Sequence, residues 1–139
     1  MNIGNPDDIA KPGGIQHPTQ LGGSCIYQVR IVCESIIDVP ANQRLIIEYV
    51  SVACEDMSTL LVGVHIATTA GGVFTTHQLT TDHSGVLQSD NVKRRMQFGQ
   101  MVRLYADPGS KIAIDAETTD INNRGDCGFS LAGQAIDVP

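Results

Sequence analysis

The sequence predicts an all-β domain: a two-sheet antiparallel sandwich, jelly-roll-like, of about eight strands. Three observations lead there. Apolar and polar residues alternate at period two along most of the chain. The runs are short and rich in Val, Ile and Thr, which suits a pleated, half-buried surface. Turn-forming Gly, Pro, Asn and Asp recur every roughly ten residues, and no segment shows a convincing helical period, an internal repeat or a heptad.

Residues 1–23 stand apart. They hold five glycines (Gly4, Gly13, Gly14, Gly22, Gly23) and three of the six prolines (Pro6, Pro12, Pro18). Glycine raises the entropy cost of ordering and proline removes a ladder donor. Residues 1–23 therefore read as an irregular N-terminal arm, ordered where it docks or reaching a neighbouring subunit, and residues 24–139 as the sandwich.

Beyond the arm, Cys25, Tyr27, Val29, Ile31 and Cys33 point one way, and Gln28 and Arg30 the other. Leu45, Ile47 and Tyr49 alternate with Ile46, Glu48, Val50 and Val52. Leu60, Val62, Val64 and Ile66 form a third apolar row. Further strands are expected over 73–80, 92–98, 100–106, 112–116 and 127–136. Turns separate them: Pro40-Ala41-Asn42-Gln43, a tight Gly71-Gly72 hairpin needing positive φ, Asp107-Pro108-Gly109-Ser110 with proline at its second position, and Asn122-Asn123-Arg124-Gly125. Glu48 stands in an apolar row, so it is expected at a sheet edge or paired with Arg30 or Arg103.

At 139 residues the chain suits one core, burying about two-thirds of the surface of its unfolded form. Apolar residues make up 42% and the mean hydropathy is −0.01, ordinary for a soluble domain. No run approaches the roughly 20 apolar residues of a membrane span. The opening Met1-Asn2-Ile3-Gly4-Asn5-Pro6-Asp7-Asp8 lacks a basic region and an apolar run, so no signal peptide is read. The chain is then either made without one or a mature form whose leader has been replaced by Met1. Net charge is −6, and Lys93-Arg94-Arg95 is the one basic cluster, which argues against nucleic acid.

Cys25, Cys33, Cys54 and Cys127 allow three pairings, and none lies in a C-x-x-C. If residues 25–33 form one continuous strand, its ends lie roughly 26 Å apart, far beyond the reach of a disulfide. Cys25 and Cys33 are thus expected to bond elsewhere, or one to stay free. Cys54 and Cys127, each beside an acidic loop, form the favoured pair. The alternative is four buried thiols in a reducing cytoplasm. An even count in a small all-β domain favours an extracellular or otherwise oxidising compartment.

No catalytic constellation emerges. A nucleophile elbow is absent, and the nearest stretches, Gly22-Gly23-Ser24-Cys25 and Asp82-His83-Ser84-Gly85, do not fit. His77, Asp82 and His83 lie close in sequence but without metal-ligand spacing; a polar hairpin explains them equally. Asp115, Glu117, Asp120 and Asp126 are hard oxygen donors of the kind calcium selects, though the spacing departs from an EF-hand and a solvated acidic loop explains them too. Arg124-Gly125-Asp126 is too short to be specific, and turn geometry accounts for its glycine. With no Trp, and with Tyr27, Tyr49, Phe98 and Phe129 on apolar rows, only Phe74 and Tyr105 are left free. The aromatic platform of a carbohydrate module is therefore not expected.

The stretch Val39-Pro40-Ala41-Asn42-Gln43-Arg44-Leu45-Ile46-Ile47-Glu48-Tyr49-Val50-Ser51 resembles a pattern in small bacterial exported β-sandwich proteins, V-P-A-G followed by a basic residue and L-x-I-x-x-V-S. The closing segment from Asp126 to Ile136 is similar to their ends, and together the likeness covers about a fifth of the chain. Asn42 replaces the usual glycine. The resemblance implies a secreted sandwich and brings no activity or functional residue with it.

These readings converge on a non-enzymatic binding or assembly protein of an extracellular or particle surface, its partner another protein or itself as a homo-oligomer. Open sheet edges and the arm are the features that would serve it. The alternatives are a small metal-dependent hydrolase and a ligand-binding jelly roll.

Overall fold

The computed structural model describes residues 16–28, 31–57, 61–79, 86–90, 93–118 and 124–139. Nine strands form: β1 (Gln16–Gln28), β2 (Val32–Asp38), β3 (Gln43–Met57), β4 (Leu61–Ala70), β5 (Val73–Leu79), β6 (Val86–Asp90), β7 (Lys93–Ala106), β8 (Lys111–Thr118) and β9 (Arg124–Asp137). They build a five-stranded sheet in the order β1-β9-β3-β7-β6 and a four-stranded sheet in the order β2-β8-β4-β5. Every pairing is antiparallel. The chain passes repeatedly from one layer to the other, the interlocked order of a jelly roll. Among the described residues no helix is long and apolar enough to cross a membrane.

The core fills the space between the sheets. Leu131, Phe129 and Cys127 of β9 and Val50, Val52 and Cys54 of β3 face Ile112, Ile114 and Ala116 of β8 and Val64 and Ile66 of β4. On β8 the burial alternates residue by residue, with Ile112, Ile114 and Ala116 fully enclosed and Lys111 exposed. A buried hydrogen bond ties the layers: the Tyr27 hydroxyl on β1 donates to the Ala116 carbonyl oxygen on β8 at 2.7 Å.

Three expectations change. The two strands expected over 92–98 and 100–106 are one strand, β7 from Lys93 to Ala106, because Gly99 continues the ladder opposite Ser51 instead of breaking it. Gln16 to Gly23, expected in the Gly/Pro-rich arm, belong to β1, in unbroken register with β9 from Ile136 to Phe129; residues 1–15 lie outside the described residues. Pro18 is accommodated because β1 lies at the sheet edge, where a missing donor costs least. The run from Cys25 to Cys33 is not one strand. It leaves the five-stranded sheet at Gln28 and enters the four-stranded sheet at Val32.

A bulge in β3 changes the inward parity. Ile47 pairs with Gly133 and Tyr49 with Ala132, so Glu48 is the extra residue. Leu45 and Ile47 point inward before it, and Val50, Val52 and Cys54 after it. Tyr49, expected in the core, is turned to the outer face and is 43% exposed. Gly133 makes the bulge possible, because a Cβ there would run into the Ile46 carbonyl oxygen and lie 3.1 Å from the Glu48 nitrogen.

Candidate assembly surfaces

Among the strands whose burial is described, β5 is the most open. It ends the four-stranded sheet, and among the described residues it pairs only with β4. Val73 to Thr76 and Gln78 are exposed, and Leu79 alone is buried. Val73 is 64% and Phe74 63% exposed. The strand Val-Phe-Thr-Thr-His-Gln-Leu carries no acid, lysine, arginine or proline. Those are the devices by which natural edge strands discourage pairing with another chain.

The β4–β5 hairpin is held firmly. Gly71 and Gly72 take φ of 59° and 80°, as a two-residue hairpin turn of primed type demands. The Asp107 carboxylate, on the turn after β7, accepts the N–H of both glycines at 2.9 Å. These bonds, with Arg44 nearby, hold the Asp107 carboxyl below the usual carboxylate range. The Asp107 N–H in turn donates to the Thr69 carbonyl oxygen at 2.7 Å. The edge is thus presented by a braced turn.

The opposite side of the sandwich is closed covalently. Cys25 on β1 bonds Cys33 on β2, linking the sheets across their adjoining edges. This corrects the expectation that these two bond elsewhere: with Cys25 on β1 and Cys33 on β2, in different sheets, the Cα atoms lie 5.6 Å apart. Cys54 and Cys127 are register partners on β3 and β9 and are also bonded. Cys25 is the register partner of Cys127 on β9's other side, so the two bridges lie at the same level along the strands. No free cysteine remains among the described residues.

A groove of about 510 Å³ opens on the outer face of the five-stranded sheet, lined by Pro18, Gln20, Glu48, Tyr49 and Ala132 among others. Glu48 is half-buried there, in a central strand and not at a sheet edge, the first of the two placements expected for it. Tyr49 leans over Gly99 of β7, and its register partner Met101 is 82% exposed. Arg103 and Tyr105 follow on the same face, the guanidinium donating to the Tyr105 hydroxyl at 3.0 Å and lying over its ring. Nothing in the alternation of residues 45–52 separates Tyr49 from the core; the signal was Glu48 in an apolar row.

The candidate chemical residues are not brought together. Asp115 and Glu117 lie on β8 and face outward from the four-stranded sheet, whereas Asp126 faces outward from the five-stranded sheet on β9. Asp115 is instead paired with His65, its Oδ1 2.9 Å from Nδ1. Asp120 lies outside the described residues, as do Asp82 and His83; His77 sits on β5. Among the described residues no three His, Cys, Asp or Glu converge to hold a metal ion.

No protein-family model and no curated protein matches the sequence. Among solved structures, the chain is similar to an infectious bursal disease virus structure of the Gt strain (13% identity, TM-score 0.34) over 90% of this chain and 36% of that one. It is similar to the VP2 subviral particle of the same virus (10%, 0.33) over 91% and 38%. It is also similar to a Bacillus endospore appendage protein, described as forming disulfide-linked pili (10%, 0.30), over 91% and 89%. The chain thus spans little more than a third of either viral protein, and likenesses this distant bring no residue role with them.

Proposed function

We propose that this protein is a non-enzymatic structural component that assembles with other protein chains, its own copies first, at an extracellular or particle surface. The observation that carries the reading is β5: a braced, uncharged edge strand with Val73 and Phe74 in solvent. Such an edge offers backbone groups that are unpaired among the described residues to an incoming strand, and none of the usual deterrents. Two disulfides support an oxidising setting, since bridges of this kind persist outside the reducing cytoplasm. The Gly/Pro-rich residues ahead of Gln16 give a second route of contact, by reaching a neighbour.

Mass photometry of the full chain and of a chain lacking residues 1–15 tests the reading. The deletion stops at residue 15 because Gln16 to Gly23 are part of β1. The reading expects species larger than a monomer in the micromolar range, surviving the deletion if β5 carries the contact and vanishing if the arm does. Monomers alone at every concentration overturn it.

A further inference from the structure

We infer that the free edge of β5 pairs antiparallel with β5 of a second copy of this chain, about a two-fold axis at Thr76, joining two four-stranded sheets into one continuous sheet. The inference rests on the assembly reading above and names its partner and register.

The register follows from the hairpin. Ala70 and Val73 flank the two-residue turn, so the Val73 N–H is directed at β4. Backbone groups alternate along a strand, and Thr75, His77 and Leu79 therefore also face β4. Phe74, Thr76 and Gln78 are left with N–H and C=O directed away from the sheet. An antiparallel copy satisfies them only if residues of this set oppose one another. Centring on Thr76 does so: Phe74 meets Gln78, Thr76 meets Thr76, and Gln78 meets Phe74, each pair exchanging both backbone hydrogen bonds. A centre on Thr75 or His77 keeps the same parity but leaves Gln78 or Phe74 without a partner inside β5, so two such pairs form instead of three.

The side chains agree with this register. Phe74 and Val73, both exposed, are set opposite Gln78 and Leu79 of the other copy, which covers apolar surface now in water. The strand has no like charges to oppose, although the chain as a whole carries −6. His77 lies opposite Thr75, so no two imidazole rings meet across the axis. A two-fold contact of this kind is self-complementary and closes after two copies, leaving other surfaces for further growth.

Charge substitution at the axis is the test. Thr76→Lys and Thr76→Glu each alter an exposed side chain. Each variant alone places like charges opposite each other, and its self-dissociation constant is expected to rise about tenfold or more. An equimolar mixture of the two is expected to regain association, because opposite charges then meet. Variants that self-associate as the wild type does, or a mixture no better than its components, overturn the inference while leaving the assembly reading in place. A wild type that stays monomeric overturns both. Hydrogen exchange keeps the question open to decision should a variant fold poorly: the N–H groups of Phe74, Thr76 and Gln78 should slow as wild-type concentration rises, and unchanged exchange counts against the pairing.

Discussion

The Asp107 carboxylate accepts the N–H of Gly71 at 2.9 Å, fixing the tip of the β4–β5 hairpin to the turn after β7. Gly72 donates to the other oxygen at the same distance. Asp107→Ala leaves both N–H groups without this acceptor, and the cost is expected to be about 1 kcal/mol after allowance for solvent. Urea unfolding measures it. The bonded carboxylate has a lowered pKa, chiefly through Gly72 and then Gly71. Its contribution is therefore complete above the unfolded value of about 3.9 and fades as pH falls through the lower folded value. The Ala variant should lose part of the wild type's acid sensitivity in that window.

Two glycines in the five-stranded sheet should respond differently to alanine. At Gly133 the added Cβ meets backbone, the Ile46 carbonyl, in the centre of the sheet. The β3 bulge must shift, at an expected cost of about 2–3 kcal/mol. At Gly99 the added Cβ meets the far end of the Tyr49 ring, which is free to swing outward. Gly99→Ala should cost less than about 1 kcal/mol, the loss of one aromatic contact. Equal melting temperatures for the two variants would contradict the placement of the bulge.

Much of the fold was legible because period-two alternation reports which face is buried, and because Gly71-Gly72 and Asp107-Pro108-Gly109-Ser110 have turn chemistry of their own. Alternation fails where parity changes. Glu48 inserts one residue, so the row Leu45, Ile47, Tyr49 reads as continuous while its last member is outside. Between Cys25 and Cys33 the alternation runs on across a change of sheet, and a local pattern cannot show that its two ends belong to different sheets. Pro18 argued for an arm because edge position, which tolerates proline, is a property of the whole sheet. The openness of β5 depends likewise on what lies beside it, and the sequence hinted at it only through seven residues without charge.

Tyr27 joins the sheets by donating to the Ala116 carbonyl oxygen. Tyr27→Phe keeps the ring in the core and removes one buried hydrogen bond, an expected loss of about 1 kcal/mol at neutral pH. Burial, and then the charges of Asp115 and Glu117, push the phenol's pKa far above its ordinary value of 10.0. A raised folded value means stability that is full below the unfolded pKa and lost as pH climbs above it. The wild type should thus weaken above about pH 10, and the Phe variant should lack this share of the decline. Urea midpoints at neutral and alkaline pH, compared between the two proteins, decide it.

The two disulfides differ in the chain they close. Cys54–Cys127 spans a sequence separation of 73 and Cys25–Cys33 one of 8. By loop-closure entropy, removing the first should cost about 4 kcal/mol and the second about 2–3 kcal/mol. Paired Cys→Ala variants, unfolded in urea without reductant, should keep that order. Access should separate them as well. Cys25 is only partly buried, whereas Cys54 and Cys127 are enclosed at 1% and 0% exposure. A reductant reaching the native protein should therefore open Cys25–Cys33 first, and alkylation followed by peptide mapping reads the order directly. Labelling of Cys54 and Cys127 ahead of Cys25 would mean that the five-stranded sheet opens at β3–β9 before the β1–β2 corner. The enclosed sulfurs and the continuous β3–β9 ladder from Tyr49 to Glu55 argue against that.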